Sequence, residues 1–353
     1  MGKFTKGFHE IRKDMFQICG GKASHLGELT SIGLNVPYGF CVTADAFFHH
    51  LRKNNLEKRV FEIAKTINYD DISDLDRKTE EIRSLIENAD MPDEIADEIV
   101  EGYESLGKDE PYVAVRSSVA IKDSDISSFP GLMDTYHYVK GTQAIMDYVK
   151  KCWASVFTSR ATAARYRKGI EHERAIIAPI IQRMVNAKCA GVMFTLNPVD
   201  GDVSKIVIEG AWGIGEGVVS GNVTPDRFVI DKILLEINER KVSLKTVKYV
   251  YDPELKRPSY KEVPEEDKSR CCLEEKEIME LVRLAKLIEN HYKTPMDIEW
   301  AVDKDFEFPK NVFILQARAE SVWSKKKAEP VIGKKSSYEL LMERAMKTIK
   351  VGQ

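Results

Sequence analysis

Two short alternating segments near the end of the chain, Met296-Asp297-Ile298-Glu299-Trp300 and Phe313-Ile314-Leu315-Gln316-Ala317-Arg318, constrain the fold most. In an extended chain, residues two apart share a face. Asp297 and Glu299 are therefore expected to project together, as are Gln316 and Arg318. Ile298, Trp300, Phe313 and Leu315 are expected to point the other way. The connection from Asp303 to Asn311 lets the two strands lie antiparallel, which gathers two carboxylates, an amide and a guanidinium over one patch. Carboxylates so placed suit Mg2+ carrying a nucleotide's phosphates, and a planar guanidinium suits phosphate oxygens. By itself the pattern also fits an amphipathic hairpin with a solvated polar face.

Earlier segments bear on that choice. Gly20-Gly21-Lys22 precedes Leu26, Leu29 and Gly33, spaced like one face of a short helix. Lys22 then sits at a helix N-terminus, where free backbone N–H groups and the dipole favour anions. The pattern is not the GxxxxGK[ST] of P-loop proteins. Tyr112-Val113-Ala114-Val115-Arg116-Ser117-Ser118 reads as a buried strand ending in a cation and two hydroxyls. After it, Ser128-Phe129-Pro130-Gly131-Leu132-Met133-Asp134-Thr135 is either a surface turn or a loop whose freed amides cap a triphosphate.

Eight blocks follow one another in order: GGKASHLGELTSIGLNVPYGFCVTADAF from Gly20, VAVRSS from Val113, FPGLMDTYHYV from Phe129 and CWASVFTSRATAARYR from Cys152; then GVMFTLNPVDG from Gly191, EGAWGIGEGVVSGNVTPDRFVID from Glu209, MDIEW from Met296 and FILQAR from Phe313. The series resembles the N-terminal nucleotide-binding domain of phosphoenolpyruvate synthase, pyruvate phosphate dikinase and rifampicin phosphotransferase, over roughly residues 10–323. The resemblance implies an α+β, ATP-grasp-like fold of two lobes, with ATP between them and Mg2+ on its phosphates. The lobes are expected at 1–195 and 196–323, with a charged linker and helix over 324–353.

What the resemblance implies for individual residues is specific. Lys22 and Arg116 match phosphate-contacting cations, and Gly131 and Thr135 match the loop over the phosphates. Gln182 falls where the family holds adenine. Asp297 and Glu299 match the metal-facing carboxylates, and Gln316 and Arg318 their phosphate-facing partners on the same hairpin. Arg116 and Arg318 are the cations expected to act on the reacting phosphates. The chain departs from the family pattern at Val119-Ala120-Ile121-Lys122-Asp123, which lacks the usual Ala-Glu-Asp, and at Pro130, which replaces the alanine of the synthase-type loop.

The family works through a mobile histidine in a GGxxSHxA-type motif. Of the seven histidines only His25 mimics it, within Gly20-Gly21-Lys22-Ala23-Ser24-His25. The residues downstream of His25 are those of the ATP domain's opening helix, so it reads as a decoy, on the surface of that helix or partly buried. His49, His50 and His291 read as surface residues. The expectation is therefore a chain that holds ATP and passes its β,γ-phosphates, releasing AMP, to a histidine on a partner subunit. That partner also binds the small-molecule acceptor. Such a split arrangement is like phenylphosphate synthase, with phenol as acceptor. Two alternatives stand beside it: a fragment of phosphoenolpyruvate synthase acting on pyruvate, and a non-catalytic ATP sensor.

The near balance of 53 Lys+Arg against 56 Asp+Glu suggests neither nucleic acid nor a membrane surface as partner. No apolar stretch approaches the roughly 20 residues needed to span a bilayer, and the N-terminal residues have no apolar core for secretion. A cytoplasmic location is expected. Six cysteines without a CxxC pair point to neither zinc nor a disulfide framework. Residues 44–106 read as helical, with Ile95, Ile99, Tyr103 and Leu106 on one face. Cys152 to Arg167 reads as a single helix whose Arg160, Arg165 and Arg167 are solvated or ion-paired. Strands dominate from Ile176 to about Pro253, interrupted by Gly210-Ala211-Trp212-Gly213-Ile214-Gly215-Glu216-Gly217. That segment reads as a close-packed loop between lobes, and Glu209 and Glu216 either line the cleft or, on the preferred reading, are surface carboxylates. A last helix is expected from Leu273 to His291.

Overall fold

The computed structural model describes residues 2–121, 135–320 and 322–323. Residues 1–319 form one compact unit, and a second begins at Glu320. The loop from Ser128 to Asp134, including Gly131, and the tail from 324 onward lie outside the described residues.

Seven strands come from the first half of the chain: β1 Thr5–Gly7, β2 Gly39–Val42, β3 Val113–Arg116, β4 Val119–Ile121, β5 Thr135–Val139, β6 Ala175–Ile177 and β7 Ile180–Arg183. Five of them form a sheet in the order β1-β2-β7-β3-β5, and β4 pairs with β6. The alternation of Phe40, Val42, Val113, Val115 and Ile181 turns one face of this sheet onto a helical layer. That layer is α2 Ala44–Lys53, α3 Glu57–Lys65, α4 Ile72–Asn88, α5 Asp93–Glu104 and α6 Thr142–Ser155, after the opening helix α1 Phe16–Ser31. Each helix buries one stripe. In α4 it is Leu75, Thr79, Ile82 and Ile86, and Asp71 caps the first turn by accepting from the amides of Ser73 and Asp74.

The second half supplies β8 Ala187–Phe194, β9 Lys205–Trp212, β10 Asp226–Asp231, β11 Ile237–Lys241, β12 Val247–Asp252, β13 Arg257–Glu262, β14 Met296–Asp303 and β15 Val312–Ala319. Six of these form an antiparallel sheet ordered β11-β10-β9-β8-β14-β15, and β12 and β13 make a separate ribbon. Helix α7 Ser159–Arg167 follows α6, the one-turn helices α8 Glu216–Val219 and α9 Glu265–Lys268 lie among the later strands, and α10 Glu275–Tyr292 precedes β14. A capping box between Glu274 and Glu277 starts α10. Its Ile278, Leu281, Val282, Ala285 and Ile288 pack on one face of the six-stranded sheet, against Ile208, Phe228, Ile298, Trp300 and Ile314. Room for the Trp300 indole comes from Gly210, where a Cβ would lie 2.6 Å from the ring.

Three expectations are corrected. Cys152 to Arg167 is not one helix: α6 ends at Ser155 and Thr158 recaps α7 by accepting from the Ala161 amide. The break lets Arg165 turn inward, where it is buried and donates to Val156 O and Thr162 Oγ1. Burial lowers its pKa to about 10. His50 is likewise fully buried, with Nε2 at 3.1 Å from Ile86 O. Phe47 and Leu51, three residues before His50 and one after it, belong to the same inward stripe, and the histidine is carried into the core by its neighbours.

Candidate functional site

The unhelical face of the five-stranded sheet carries Ala114, Arg116 and Gln182, and α1 lies along it through Ala23 and Leu26 packed against Cys41 and Ile180. Helix α1 is interrupted at Gly20, whose φ of 74° and ψ of 169° are not helical. A Cβ there would sit 2.4 Å from Ser118 Oγ, so the position needs glycine on both counts. Ser118 Oγ locks the kink by donating to Cys19 O and accepting from Ala23 N, at 2.9 and 3.3 Å. The helix thus restarts just before Lys22, as expected from the Gly-Gly-Lys run.

The hairpin β14–β15 forms with Asp297 opposite Arg318 and Glu299 opposite Gln316, the pairing expected from the alternation. The ladder then slips: Trp300 pairs with Ile314, leaving Leu315 as an extra residue in a β-bulge. Here the expectation for Phe313 and Leu315 fails. The bulge reverses the alternation, so Ile314 goes into the core with Trp300, while Phe313 and Leu315 lie on the polar side beside Ala301. It also frees the Leu315 carbonyl, which accepts from Arg116.

Arg116 joins the two sheets. Its Nη1 donates to Gln182 Oε1 and Leu315 O, both at 3.1 Å. Its Nη2 donates to Glu299 Oε2 and Gln316 Oε1, both at 3.0 Å. Arg318 pairs with Asp297 through Nε at 2.8 Å and Nη2 at 2.6 Å. Burial, together with the positive Arg116 and Arg318, lowers the Lys22 pKa to about 8, with Glu299 opposing. Lys22, Arg116, Gln182, Asp297, Glu299, Gln316 and Arg318 therefore share one locus. Thr135 lies opposite Arg116 in the β3–β5 ladder. Gly131 lies outside the described residues.

A second irregularity shapes the rim. In β3–β5, Val113 pairs with Val139 and Val115 with Tyr136, so His137 and Tyr138 together oppose Ala114. Tyr138 takes a left-handed φ of 59° to do so. His137 is thereby brought to the site, where burial and the Arg116 charge hold its pKa at about 4. Tyr138 joins Met184, Ile214, Tyr249, Phe313 and Leu315 in a half-buried apolar wall adjoining Gln182. The glycine-rich segment 210–217 is indeed close-packed: Ile214 N donates to Tyr249 O at 2.9 Å. Its Glu216 is exposed, as the preferred surface reading expected, and desolvation together with the Glu299 charge raises its pKa. Glu209 pairs with Arg227 at 3.5 Å. His137 carried no local signal, because a bulge brings it in.

Chemically, the site has a cationic end, a pair of carboxylates and an apolar wall. Among the described residues no group of three or more His, Cys, Asp or Glu side chains could enclose a metal ion. Asp297 and Glu299, two residues apart on one face of β14, suit a hard cation that arrives already coordinated by phosphate. Gln182 Oε1 is taken by Arg116, while its buried Nε2 has no partner.

Residues 16–339 match the family model described as pyruvate phosphate dikinase, AMP/ATP-binding domain. The chain is 42% identical to a probable phosphoenolpyruvate synthase of Staphylothermus marinus, over 96% of this chain and 43% of that protein. It is 41% identical to the phosphoenolpyruvate synthase of Aeropyrum pernix, over 91% of this chain and 42% of that protein. A probable phosphoenolpyruvate synthase of Methanocaldococcus jannaschii is 40% identical, over 93% of this chain and 27% of its own length. The chain spans less than half the length of each of these relatives.

Proposed function

This chain belongs to the family of pyruvate phosphate dikinase AMP/ATP-binding domains, and from that premise we propose that it is the ATP-holding part of a phosphoenolpyruvate synthase-type enzyme. The reading is carried by the convergence on Arg116 of Gln182, Glu299, Gln316 and the Leu315 carbonyl, beside Lys22 and the Asp297–Arg318 pair. An ATP-grasp-like arrangement follows, with the nucleotide between the two sheets. Its base lies against Tyr138, Met184, Ile214 and Leu315, with the free Gln182 Nε2 available to a ring nitrogen. Its triphosphate lies against Lys22, Arg116 and Arg318. Asp297 and Glu299 hold the Mg2+, which when bound supplies charge neutralisation at the phosphate oxygens.

In the proposed reaction a histidine nitrogen, from a segment or subunit beyond this chain, attacks the β-phosphorus. The bond to the α,β-bridging oxygen breaks and AMP leaves with its electron pair. Water then releases the outer phosphate, and the remaining phosphoryl group passes from histidine to the enol oxygen of pyruvate. The contribution of this chain is positioning and charge stabilisation: Lys22, Arg116 and Arg318 hold the phosphates in line and neutralise the charge on the departing AMP. The relatives' names favour pyruvate over the phenol put first by the sequence reading. The retained charge-handling residues favour an enzyme over a sensor.

ATP labelled at the β-phosphorus tests this on the complete enzyme or complex that contains the chain, supplied in turn with pyruvate, phenol or no acceptor. Label in phosphoenolpyruvate with stoichiometric AMP is the expected result. Label in phenylphosphate would restore phenol, and ATP binding without AMP would leave a sensor.

A further inference from the structure

We infer that the chain carries a second ligand site, for a small phosphorylated metabolite, at the opposite end of the β14–β15 hairpin from the nucleotide site. A cavity of about 170 Å³ lies there, lined by Lys188, Trp212, Lys248, Asp267, Arg270 and Lys304 among others. Its cations come from four separate parts of the chain: β8, β12, the turn after α9 and the turn after β14. Lys188 is neutralised by the buried Glu277, at 2.7 and 2.9 Å, and Arg270 by Asp267 at 3.0 Å. Arg270 is also held over the Trp212 indole, 5.2 Å from its centroid. Among the described residues, Lys248 and Lys304 have no carboxylate partner. Folding therefore leaves an excess of two positive charges around a space fit for a phosphate group and too small for a nucleotide. An anion relieves that repulsion.

A neighbouring cavity of about 590 Å³ shares Lys188 and Lys304 and adds Lys276, Asn311 and the carboxylates Glu274, Glu277, Asp303 and Glu307, so the anion belongs to the first cavity and a donor group to this one. Asn311 is nine-tenths buried, and its amide nitrogen is committed to Glu277 Oε1 at 3.3 Å. That contact fixes the orientation of the amide, since turning it would set oxygen against carboxylate. The other atom, Oδ1, is buried without a partner among the described residues, and an unpaired buried acceptor is destabilising. A ligand whose phosphate sits among Lys248, Arg270 and Lys304, and whose hydroxyl or amine donates to Asn311 Oδ1, satisfies both chambers. Gly213 lines the first cavity, and the next residue, Ile214, belongs to the apolar wall of the nucleotide site.

Calorimetric titration with inorganic phosphate and with ribose 5-phosphate tests the assignment on the whole protein. The titrations use wild type, Arg318→Ala to disable the nucleotide site, and the double variant Lys248→Ala/Lys304→Ala. Saturable binding that persists in Arg318→Ala, and weakens at least tenfold in the double lysine variant, is expected. Both lysines reach solvent, so the double variant should keep the wild-type melting temperature and its ATP affinity. Ribose 5-phosphate should bind more tightly than phosphate, and Asn311→Ala should abolish that advantage. No saturable binding, or binding lost in Arg318→Ala and retained in the lysine variant, would overturn the second site.

Discussion

Arg116 and Lys22 divide the electrostatic work. Arg116 is anchored by four acceptors on two sheets, so its charge is fixed in place. Lys22 carries a variable one, since burial and the nearby guanidinium groups lower its pKa to about 8 from 10.5. The sign of the consequence is definite. Between about pH 8 and 10.5 the unfolded chain binds more protons at this residue than the folded chain does. The strain of a charged Lys22 is therefore full below pH 8 and is relieved as pH rises through that window. A triphosphate reverses the shift by favouring the ammonium form. We predict that at pH 9 ATP binding takes up close to one proton and that affinity falls as pH rises above 8. Calorimetry in two buffers of different ionisation enthalpy reads the uptake directly. Lys22→Met should abolish it and weaken ATP at least tenfold at pH 7, whereas uptake unchanged in that variant would place the titrating group elsewhere.

At the scale of elements, two bulges make the site. Regular alternation delivers Asp297 with Glu299 and Gln316 with Arg318, but with Leu315 in the chain only the bulge lets Ile314 remain in the core while Gln316 faces Glu299. A one-residue slip turns every subsequent side chain to the opposite face. Deleting Leu315 should leave an unbroken ladder in which Gln316 still faces Glu299 and Ile314 still packs on Trp300. Arg116 then loses its carbonyl acceptor and the apolar wall loses a side chain. We predict ATP binding weakened at least tenfold, with stability close to that of the wild type. Urea unfolding followed by tryptophan fluorescence, with an ATP titration alongside, checks both. Unchanged ATP affinity would show that the bulge is dispensable. In β5 the corresponding device is the left-handed Tyr138, which sets both His137 and Tyr138 toward the cleft.

Across the whole molecule, the polar faces of two sheets meet while each opposite face carries its own helical layer. Arg116 spans the junction, so a ligand there tightens contacts between the two sheets. Binding only to the folded form stabilises it by about 2.7 kcal/mol at a hundred times the dissociation constant. ATP with Mg2+ should raise the melting temperature accordingly. Arg116→Ala should remove that rise and also lower the unliganded melting temperature, because Glu299 loses its ion-pair partner and Gln182 and Gln316 lose theirs. An unliganded Arg116→Ala protein as stable as wild type would show that the residue serves the ligand alone.

The sequence by itself determined the helices with unambiguous stripes, α5 and α10 among them, and the strand pattern of β3, β14 and β15. It also determined most of the site's members, since Lys22, Arg116, Asp297, Glu299, Gln316 and Arg318 stand in ordered, locally readable motifs. Periodicity is a one-dimensional property, and it survives wherever backbone geometry is regular. What only the tertiary structure decided are the exceptions to regularity. A bulge changes the facing of Phe313 and Leu315, and a recapped helix turns Arg165 inward. A bulge between β3 and β5 brings His137 beside Arg116. Each depends on partners far away in the chain, and alternation along a single segment holds no record of them. The pairing of Arg116 with groups 66 to 200 residues distant is of the same kind. The residue type announced a cation, but the two sheets chose its four acceptors.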